Sequence, residues 1–222
     1  MHDGMGDKDG RMLMRHAHAA AGFTMIEALV TLGIFAILTA LGIPAMRSWL
    51  ADNQVRAVTD SLQNGLRLAQ AESLRSSRQV VFALTNNAVN SSTALPVSAI
   101  ANGSTWAIYT LPSMTDGSEA PNFIQSGILS STNSGVAINS NGTAALCFNE
   151  VGRLISSANP ALATVTGGAT CTVPTTGTPP AQVFNITLTG ADRPLEVKVA
   201  LGGQVHMCDP NVVLSANYPE GC

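Results

Sequence analysis

Residues 23–46 read FTMIEALVTLGIFAILTALGIPAM, and this stretch decides the architecture of the chain. Glu27 is its only charged residue, and from Ala28 to Ile43 nothing is more polar than a threonine. About 20 residues of this kind are enough to cross a bilayer as a helix. A secretory signal peptide or a simple membrane anchor has the same composition, so the residues on either side must distinguish them.

The segment before Phe23 differs from an ordinary signal peptide, which places its apolar core before the cleavage site. It has no apolar core, carries six charged side chains and ends in small residues up to Gly22. Cleavage after Gly22 would leave the apolar helix on the mature chain. Glu27 would then be the fifth mature residue and Pro44 the twenty-second.

The stretch GFTMIE, residues 22–27, resembles the processing site of type IV pilins and type II secretion pseudopilins. The resemblance implies that an inner-membrane prepilin peptidase cuts after Gly22 and methylates the new N-terminus at Phe23. A glutamate at the fifth mature position and a proline at the twenty-second are hallmarks of this family. Glu27 and Pro44 occupy those positions here.

Both hallmark residues also have physical consequences. A carboxylate in an apolar helix costs a few kcal/mol and is expected to find a partner. By the resemblance, Glu27 neutralises the amine of Phe23 in a neighbouring subunit; the simpler alternative is a chance glutamate near the membrane interface.

Pro44 removes a backbone donor and is expected to kink or break the helix. The alternatives for Pro44 are a plain end of the membrane span or, by the resemblance, a flexible point that melts on packing into a filament.

Beyond Pro44 the helix is predicted to resume as an amphipathic segment to about Ser76. Its buried stripe is predicted from apolar residues at mostly three- and four-residue steps: Trp49, Val55, Val58, Leu62, Leu66, Ala69 and Leu74. Gly65 weakens this segment without ending it. Five arginines lie on the remaining faces: Arg47, Arg56, Arg67, Arg75 and Arg78. A solvated helix face is the simpler explanation for them, and a binding stripe is the alternative.

After Ser77, short candidate strands alternate with turn-rich stretches. The strands are predicted at Gln79–Leu84, Thr105–Leu111, Gly135–Asn139, Ala144–Phe148, Val183–Thr189, Leu195–Leu201 and Gln204–Met207. Loops are predicted at Asn86–Thr93, Ser130–Ser134 and Pro174–Pro180, and a hairpin across Gly190–Pro194. The expected fold class is α+β, with one long N-terminal helix, its first half transmembrane, packed on an antiparallel β-sheet domain. The resemblance implies a type IV pilin-like fold.

Four parts of the chain follow from these patterns. They are a cleaved prepilin leader (1–22), a transmembrane or filament-core helix (23–46), the amphipathic half of the helix (47–78) and an extracytoplasmic β-rich domain (79–222). We expect a single-pass inner-membrane protein, in contact with lipid before assembly, whose periplasmic domain then joins a pilus or pseudopilus filament.

Four cysteines lie in the β-rich part: Cys147, Cys171, Cys208 and Cys222. The expected topology places them outside the cytoplasm, where disulfides persist. Three pairings are possible from the sequence alone. Type IV pilins commonly have a C-terminal disulfide-bounded loop, so the resemblance favours Cys147–Cys171 and Cys208–Cys222.

Metal binding and catalysis by these cysteines are not expected. No C-x-x-C pair occurs, and His206 is the only histidine after Phe23. His206, Cys208 and Asp209 superficially form a catalytic cluster, but a disulfide at Cys208 would remove the thiolate that such a site needs. The sequence also has no phosphate loop, zinc-protease motif or nucleophile elbow. We therefore expect neither an enzyme nor a cofactor.

The rest of the chain resembles the H-type pseudopilin/FimT family of minor pilins, which includes FimU-like proteins. The matching pieces are LRLAQAES (66–73), Trp106, CFNEVGR (147–153) and GQVHMCDP (203–210). The resemblance implies a subunit at or near the filament tip that primes assembly. Its implied partners are the prepilin peptidase and other minor and major pilins or pseudopilins.

DNA is not an expected partner. Some FimT proteins bind DNA in natural transformation through a Gly-Arg-x-Arg motif, but the corresponding stretch here is Gly203-Gln204-Val205-His206, without either arginine. From Gln79 onward, three basic residues face seven acidic ones, which is the wrong sign for a phosphate-binding surface. Only 11% of the chain is charged, against about 25% in typical domains, which also argues against a basic nucleic-acid-binding protein.

Three functions remain open from the sequence. The favoured one is a minor pilin that helps initiate or cap a type IV pilus, with roles in twitching motility and DNA uptake. An H-type pseudopilin of type II secretion fits the N-terminal motif equally well. A DNA-capturing minor pilin is disfavoured by the charge count.

Overall fold

A computed structural model describes residues 22–113, 119–129, 135–175 and 177–222. Residues 1–21 of the predicted leader and the predicted loop at Ser130–Ser134 lie outside these residues. The chain divides into two compact units, Met1–Ile43 and Pro44–Cys222.

One helix, α1, extends from Met25 to Ser76 and includes 52 residues. Of the kink or break predicted at Pro44, the break does not occur, because the backbone there is helical and α1 continues through it. Proline costs one backbone hydrogen bond, but its fixed φ of about −65° is itself helical, and long helical segments flank it. The helix ends where Ser77 adopts a positive φ of 49°.

The second unit carries two antiparallel sheets. Their strands are β1 (Val80–Thr85), β2 (Thr105–Thr110), β3 (Asn122–Ile128), β4 (Ala137–Asn139), β5 (Ala145–Phe148), β6 (Leu154–Ile155), β7 (Ala181–Thr187), β8 (Leu195–Ala200) and β9 (Val205–Cys208). One sheet has the order β3-β2-β1-β5-β6 and the other the order β4-β7-β8-β9. The α+β class is confirmed, as is the hairpin across Gly190–Pro194, which joins β7 to β8.

Three described elements were not predicted from the sequence: β3, β6 and the short helix α2 (Ala161–Thr166). β3 reads NFIQSGI, in which polar and small residues obscure the alternation. β6 has only two residues. The signals for α2 were present, because Pro160 precedes it and Gly167 closes it in the left-handed conformation.

The main core lies between the helix and the inner faces of both sheets. The helix contributes Val55, Val58, Leu62, Leu66 and Ala69, while the sheets contribute large side chains such as Phe82, Phe148 and Phe184. Trp49 and Leu74, which were predicted in the same stripe, are instead 64% and 52% exposed. Periodicity identifies a face of a helix, but it does not show where the partner surface begins and ends.

A second core covers the other face of the five-stranded sheet. Val81, Ala83, Ala107 and Tyr109 pack there against residues of the 86–100 loop and of α2. Strands β1 and β2 are therefore buried along their whole length. This explains why VVFALT and TWAIYT read as continuous apolar runs with little polar alternation.

Trp106 of β2 packs between the helix and the sheet. Its ring stacks on Phe82 with centroids 5.8 Å apart, and its Nε1 donates to Ser61 Oγ at 3.3 Å. Gly65 of the helix and Gly127 of β3 lie against the indole, because a Cβ at either position would stand less than 3 Å from it. The two glycines therefore make room for the ring.

Candidate functional site

The N-terminal segment of α1 begins with a side-chain cap. Thr24 Oγ1 accepts a hydrogen bond from the backbone N–H of Glu27 at 3.3 Å. Thr24-Met25-Ile26-Glu27 has the T-x-x-E spacing of a capping box, in which the cap satisfies an N–H that the first turn leaves free. The cap fixes the start of the helix, so Phe23 lies just before it and Glu27 in its first turn.

Among the described residues of its unit, 22–43, the apolar part of α1 packs against no core. Residues 22–43 are all exposed except Thr39, which is partly covered, and Phe23 is 85% exposed. The threonine hydroxyls bond within the helix: Thr31 Oγ1 donates to the carbonyl of Ala28, and Thr39 Oγ1 to that of Phe35. The helix therefore presents an apolar surface without free polar groups other than Glu27.

By length and composition, α1 could cross a membrane, and it is the one helix with this property among the described residues. Membrane anchoring suits such a helix, because its backbone groups are satisfied internally.

Three of the five arginines have partners in the described part of the chain. Arg75 forms a two-pronged pair with Glu72, with N···O distances of 2.7 and 2.8 Å. This hydrogen bonding raises the pKa of Arg75. Arg78 pairs with Glu119 at 2.6 Å, and Arg67 donates to the carbonyl of Val205. These contacts are structural, in line with a helix face rather than a binding stripe.

The loop that joins β7 to β8 is tied to the helix near the end of the apolar segment. Ser48 Oγ donates to Asp192 Oδ2 at 2.6 Å. Asp52 Oδ1 accepts from the backbone N–H groups of Asp192 and Arg193 at 2.8 and 3.0 Å. This link joins residues about 140 positions apart in the chain, and local sequence patterns do not predict such a contact.

The four cysteines form two disulfides in the structure. Cys147–Cys171 connects β5 to the segment after α2, and both residues are buried in the second core. Cys208–Cys222 connects the end of β9 to the last residue of the sequence. The enclosed loop also closes on itself, because the N–H of Asp209 donates to the carbonyl of Glu220 and the N–H of Cys222 to that of Val212.

Three segments that carried the family resemblance meet around two glycines. Gln70 Nε2 donates to the carbonyl of Gly152 at 3.2 Å. Gly203 lies against both groups with φ 87°, and a Cβ there would collide with the Gly152 carbonyl. Leu154 N–H also donates to the carbonyl of Leu201. The helix, the β5–β6 turn and the β8–β9 turn thus form one packed junction, which gives Gly203 a structural role.

The positions that correspond to the DNA-binding motif, Gly203, Gln204 and His206, lie at the start of β9 and just before it. Gln204 and His206 are exposed, whereas Val205 between them is buried. His206 lies opposite Lys198 of β8, and Lys198 is 3.5 Å from Glu196. Among the described residues, the sheet face that includes His206 therefore carries one lysine, next to a carboxylate.

The His206-Cys208-Asp209 cluster has no nucleophile. The Cys208 sulfur is bonded to Cys222, and Asp209 Oδ1 accepts the N–H of Asn211 within a turn. Glu196 and the two sulfurs also come within 4.8 Å of one another, but disulfide sulfurs are not thiolate ligands.

The sequence of the chain matches known proteins at its N-terminus. Residues 18–43 match the family model described as the prokaryotic N-terminal methylation motif. This N-terminal segment is type IV pilin-like. Over 42 residues, the chain is 52% identical to the prepilin peptidase-dependent protein D of Escherichia coli (strain K12). That match covers 19% of this chain and 27% of the relative, so the chain spans about a quarter of the relative's length.

Two solved structures of the Pseudomonas aeruginosa (strain PAO1) type IV minor pilin FimU are similar to this chain. The crystal form in space group P21 gives a TM-score of 0.46 at 14% identity, covering 71% of this chain and 93% of FimU. The form in space group P65 gives 0.43 at 15% identity, covering 70% and 96%.

Proposed function

We propose that this chain is a minor type IV pilin that helps initiate or cap a pilus. The observation that carries the proposal is the N-terminal methylation motif followed by an apolar helix segment with no buried residue between Phe23 and Ile43. A helix that is apolar on all sides needs a partner outside its own domain. Bilayer lipid and then the helices of other pilins supply that partner in turn.

Processing is the first step of the proposed role. The prepilin peptidase cuts after Gly22 and methylates Phe23, so residues 1–22 are the leader. The cap formed by Thr24 supports this assignment, because it starts the helix just after the cut and leaves Phe23 outside the hydrogen-bonded turns. The new amine of Phe23 is then available to pair with Glu27 of a neighbouring subunit.

Assembly follows insertion in the inner membrane. Residues 23–46 form the part of α1 that lies in lipid and later in the filament core, and the β-rich domain lies in the periplasm. Pro44 provides the flexible point within the helix. Prepilin peptidase and other minor and major pilins are the partners, and the role requires no cofactor and no catalytic residue.

The domain after residue 79 is proposed to be of the H-type pseudopilin/FimT kind. The junction of Gln70, Gly152 and Gly203 supports this, because it joins three of the four segments that carry the resemblance. A subunit of this kind is proposed to lie at or near the filament tip.

Mass spectrometry tests the processing step. Co-expression with a prepilin peptidase is expected to give a chain that begins at methylated Phe23. A Gly22→Val variant is expected to stay uncleaved, while the matched Gly10→Val variant is processed normally. A mature form beginning at any other residue contradicts the proposal.

Gene deletion separates the pilus from the secretion filament. Surface pili, DNA uptake and exoprotein secretion are measured in parallel in the deletion strain and after complementation. Loss of pili supports the proposed role. Loss of secretion with intact pili would make an H-type pseudopilin of type II secretion the correct assignment, since the N-terminal motif fits both filaments.

A further inference from the structure

The helix carries an exposed apolar patch immediately after the apolar segment. Met46, Trp49 and Leu50 are 65%, 64% and 48% exposed, and the spacing from 46 to 49 and 50 places them on one side of the helix. We call these three residues the 46–50 patch. Burial in the domain core begins only afterwards, at Ala51 and Val55.

In the sequence, the number of residues between Glu27 and this patch is close to the number that a helix needs to cross a bilayer. Arg47 is the first charged residue after Glu27 and follows it by twenty positions. About 20 helical residues cross the hydrocarbon core of a bilayer. If Glu27 lies at one edge of that core, the 46–50 patch lies at the other. The next residues, Asp52 and Asn53, are polar.

We propose that the 46–50 patch anchors the chain at the lipid headgroup interface before assembly, with Trp49 as the principal contact. This inference rests on the proposed membrane insertion. Tryptophan favours this zone because its ring is apolar while its N–H stays hydrated. Arg47 extends its guanidinium toward lipid phosphates while its aliphatic stem lies along the apolar boundary.

The alternative occupant is the domain itself or a second copy of the chain. Trp49 also borders a cavity of about 460 Å³ whose lining includes Arg56 and Arg193, yet its side chain remains mostly exposed. The contacts of the neighbouring loop go to Ser48 and Asp52. The domain therefore leaves the indole uncovered, and the continuity of the patch with the apolar helix favours lipid over a second copy.

The two tryptophans of the chain make the test direct. Trp106 is buried, with 4% exposure, so it gives a constant background. The full chain is reconstituted in phosphatidylcholine–phosphatidylglycerol vesicles, and the signal of Trp49 is obtained by subtracting the spectrum of the Trp49→Phe variant. Lipids brominated near the headgroup or near the end of the acyl chain, and acrylamide in the water, then locate the ring.

The expected result is strong quenching of Trp49 by the shallow bromine label, weaker quenching by the deep label and partial protection from acrylamide. A tryptophan placed in the C-terminal loop by Val213→Trp, in the Trp49→Phe background, should be quenched by acrylamide alone. Val213 is 84% exposed and is the matched control.

Two results would overturn the inference. If the chain floats with the vesicles but Trp49 is quenched only by acrylamide, the indole lies in water, the anchor is wrong and the proposed function stands. If the chain does not float with the vesicles at all, the membrane insertion and this anchor both fail.

Discussion

Gly65 of the helix lies so close to Trp106 of β2 that a methyl group at Gly65 would stand 2.8 Å from Cε2 of the indole. The ring cannot move away, because Gly127 of β3 is even closer to it and Phe82 stacks on it. The glycine that reads as a weak point in the helix is therefore required by packing.

Gly65→Ala is expected to destabilise the domain. Alanine gains about 1 kcal/mol of helix propensity over glycine, but overpacking a core costs about 1–3 kcal/mol, so we expect a net loss of about 1 kcal/mol. Thermal unfolding of the detergent-solubilised chain, monitored by circular dichroism, measures this loss of stability. Asn64→Ala, at the neighbouring exposed position, should be neutral or stabilising. Equal stability of the two variants would contradict the packing argument.

Tyr109 gives a prediction about alkaline pH. Its hydroxyl is buried and has no hydrogen-bond partner among the described residues, and burial raises its pKa above the ordinary value of 10.0. Below pH 10 the phenol is protonated in both the folded and the unfolded state. As the pH rises above 10, the unfolded chain releases this proton first, so folding stability is lost toward the raised pKa.

Tyr109→Phe should abolish this alkaline loss. It should also stabilise the chain at neutral pH by about 1 kcal/mol, because a buried unpaired hydroxyl carries a desolvation cost of about 1–3 kcal/mol. The matched control is Tyr218→Phe at an exposed position, which should keep the wild-type pH profile. Melting temperatures measured across pH 7–11 test both variants, and a Tyr109→Phe profile that falls like the wild type would refute the prediction.

The two disulfides should differ in what they stabilise. Each closes a short loop, with sequence separations of 24 and 14, worth about 3 kcal/mol in the chain-entropy model. Cys147→Ser/Cys171→Ser places two hydroxyls in the second core, so we expect a large fall in global melting temperature.

Cys208→Ser/Cys222→Ser should mainly release the exposed segment after β9. Limited proteolysis is expected to cut within residues 209–222 before the domain unfolds. If both double variants unfolded at the same temperature and were cut at the same sites, the proposed difference would be wrong.

DNA binding provides a gain-of-function prediction. The native chain should not bind duplex DNA measurably at physiological salt, because Gln204 and His206 stand where the Gly-Arg-x-Arg motif has arginines. Gln204→Arg/His206→Arg would place two cations on one exposed strand face, beside Lys198. Two added phosphate contacts should make binding detectable and salt-dependent, with a log–log slope increased by about 2.

Mobility-shift titrations at several salt concentrations measure this. The control is the double variant Gln204→Asn/His206→Asn, which has neutral amide side chains at both positions. This variant should not bind DNA. Tight binding by the native chain would overturn the charge argument.

Glu27→Gln should separate assembly from processing. Glutamine keeps the backbone N–H that Thr24 accepts, so the helix start and cleavage after Gly22 should be unaffected. The lost charge removes the proposed partner of the Phe23 amine, and incorporation into sheared filaments should fall at least about tenfold if the pair contributes 1.4 kcal/mol or more. Immunoblots of the filament and membrane fractions measure it, with Thr31→Val as a control; normal incorporation of Glu27→Gln would show that the glutamate has no such role.

The sequence predicted the elements whose signals are local. The apolar run after Phe23 and the steps from Val55 to Ala69 indicate the helix, and the alternation in FNITLT and LEVKVAL indicates the β7–β8 hairpin. The extent of the buried stripe was not predictable, because the domain begins to cover the helix only at Ala51.

The contacts between distant segments were also beyond local patterns. Nothing near Gly203 in the sequence indicates that its turn packs against Gly152 and Gln70. The same holds for Asp52 and the loop at 192–193. By contrast, the T-x-x-E spacing at Thr24 is a local signal for a helix cap.

The link between Ser48, Asp52 and the β7–β8 loop has a mechanical consequence. It attaches the second sheet to the helix at the first polar residues after the apolar segment. A tensile load applied along α1 would reach the hairpin through these hydrogen bonds, in parallel with the apolar core. The loop at 192–193 is thus a second point of force transmission between the helix and the domain.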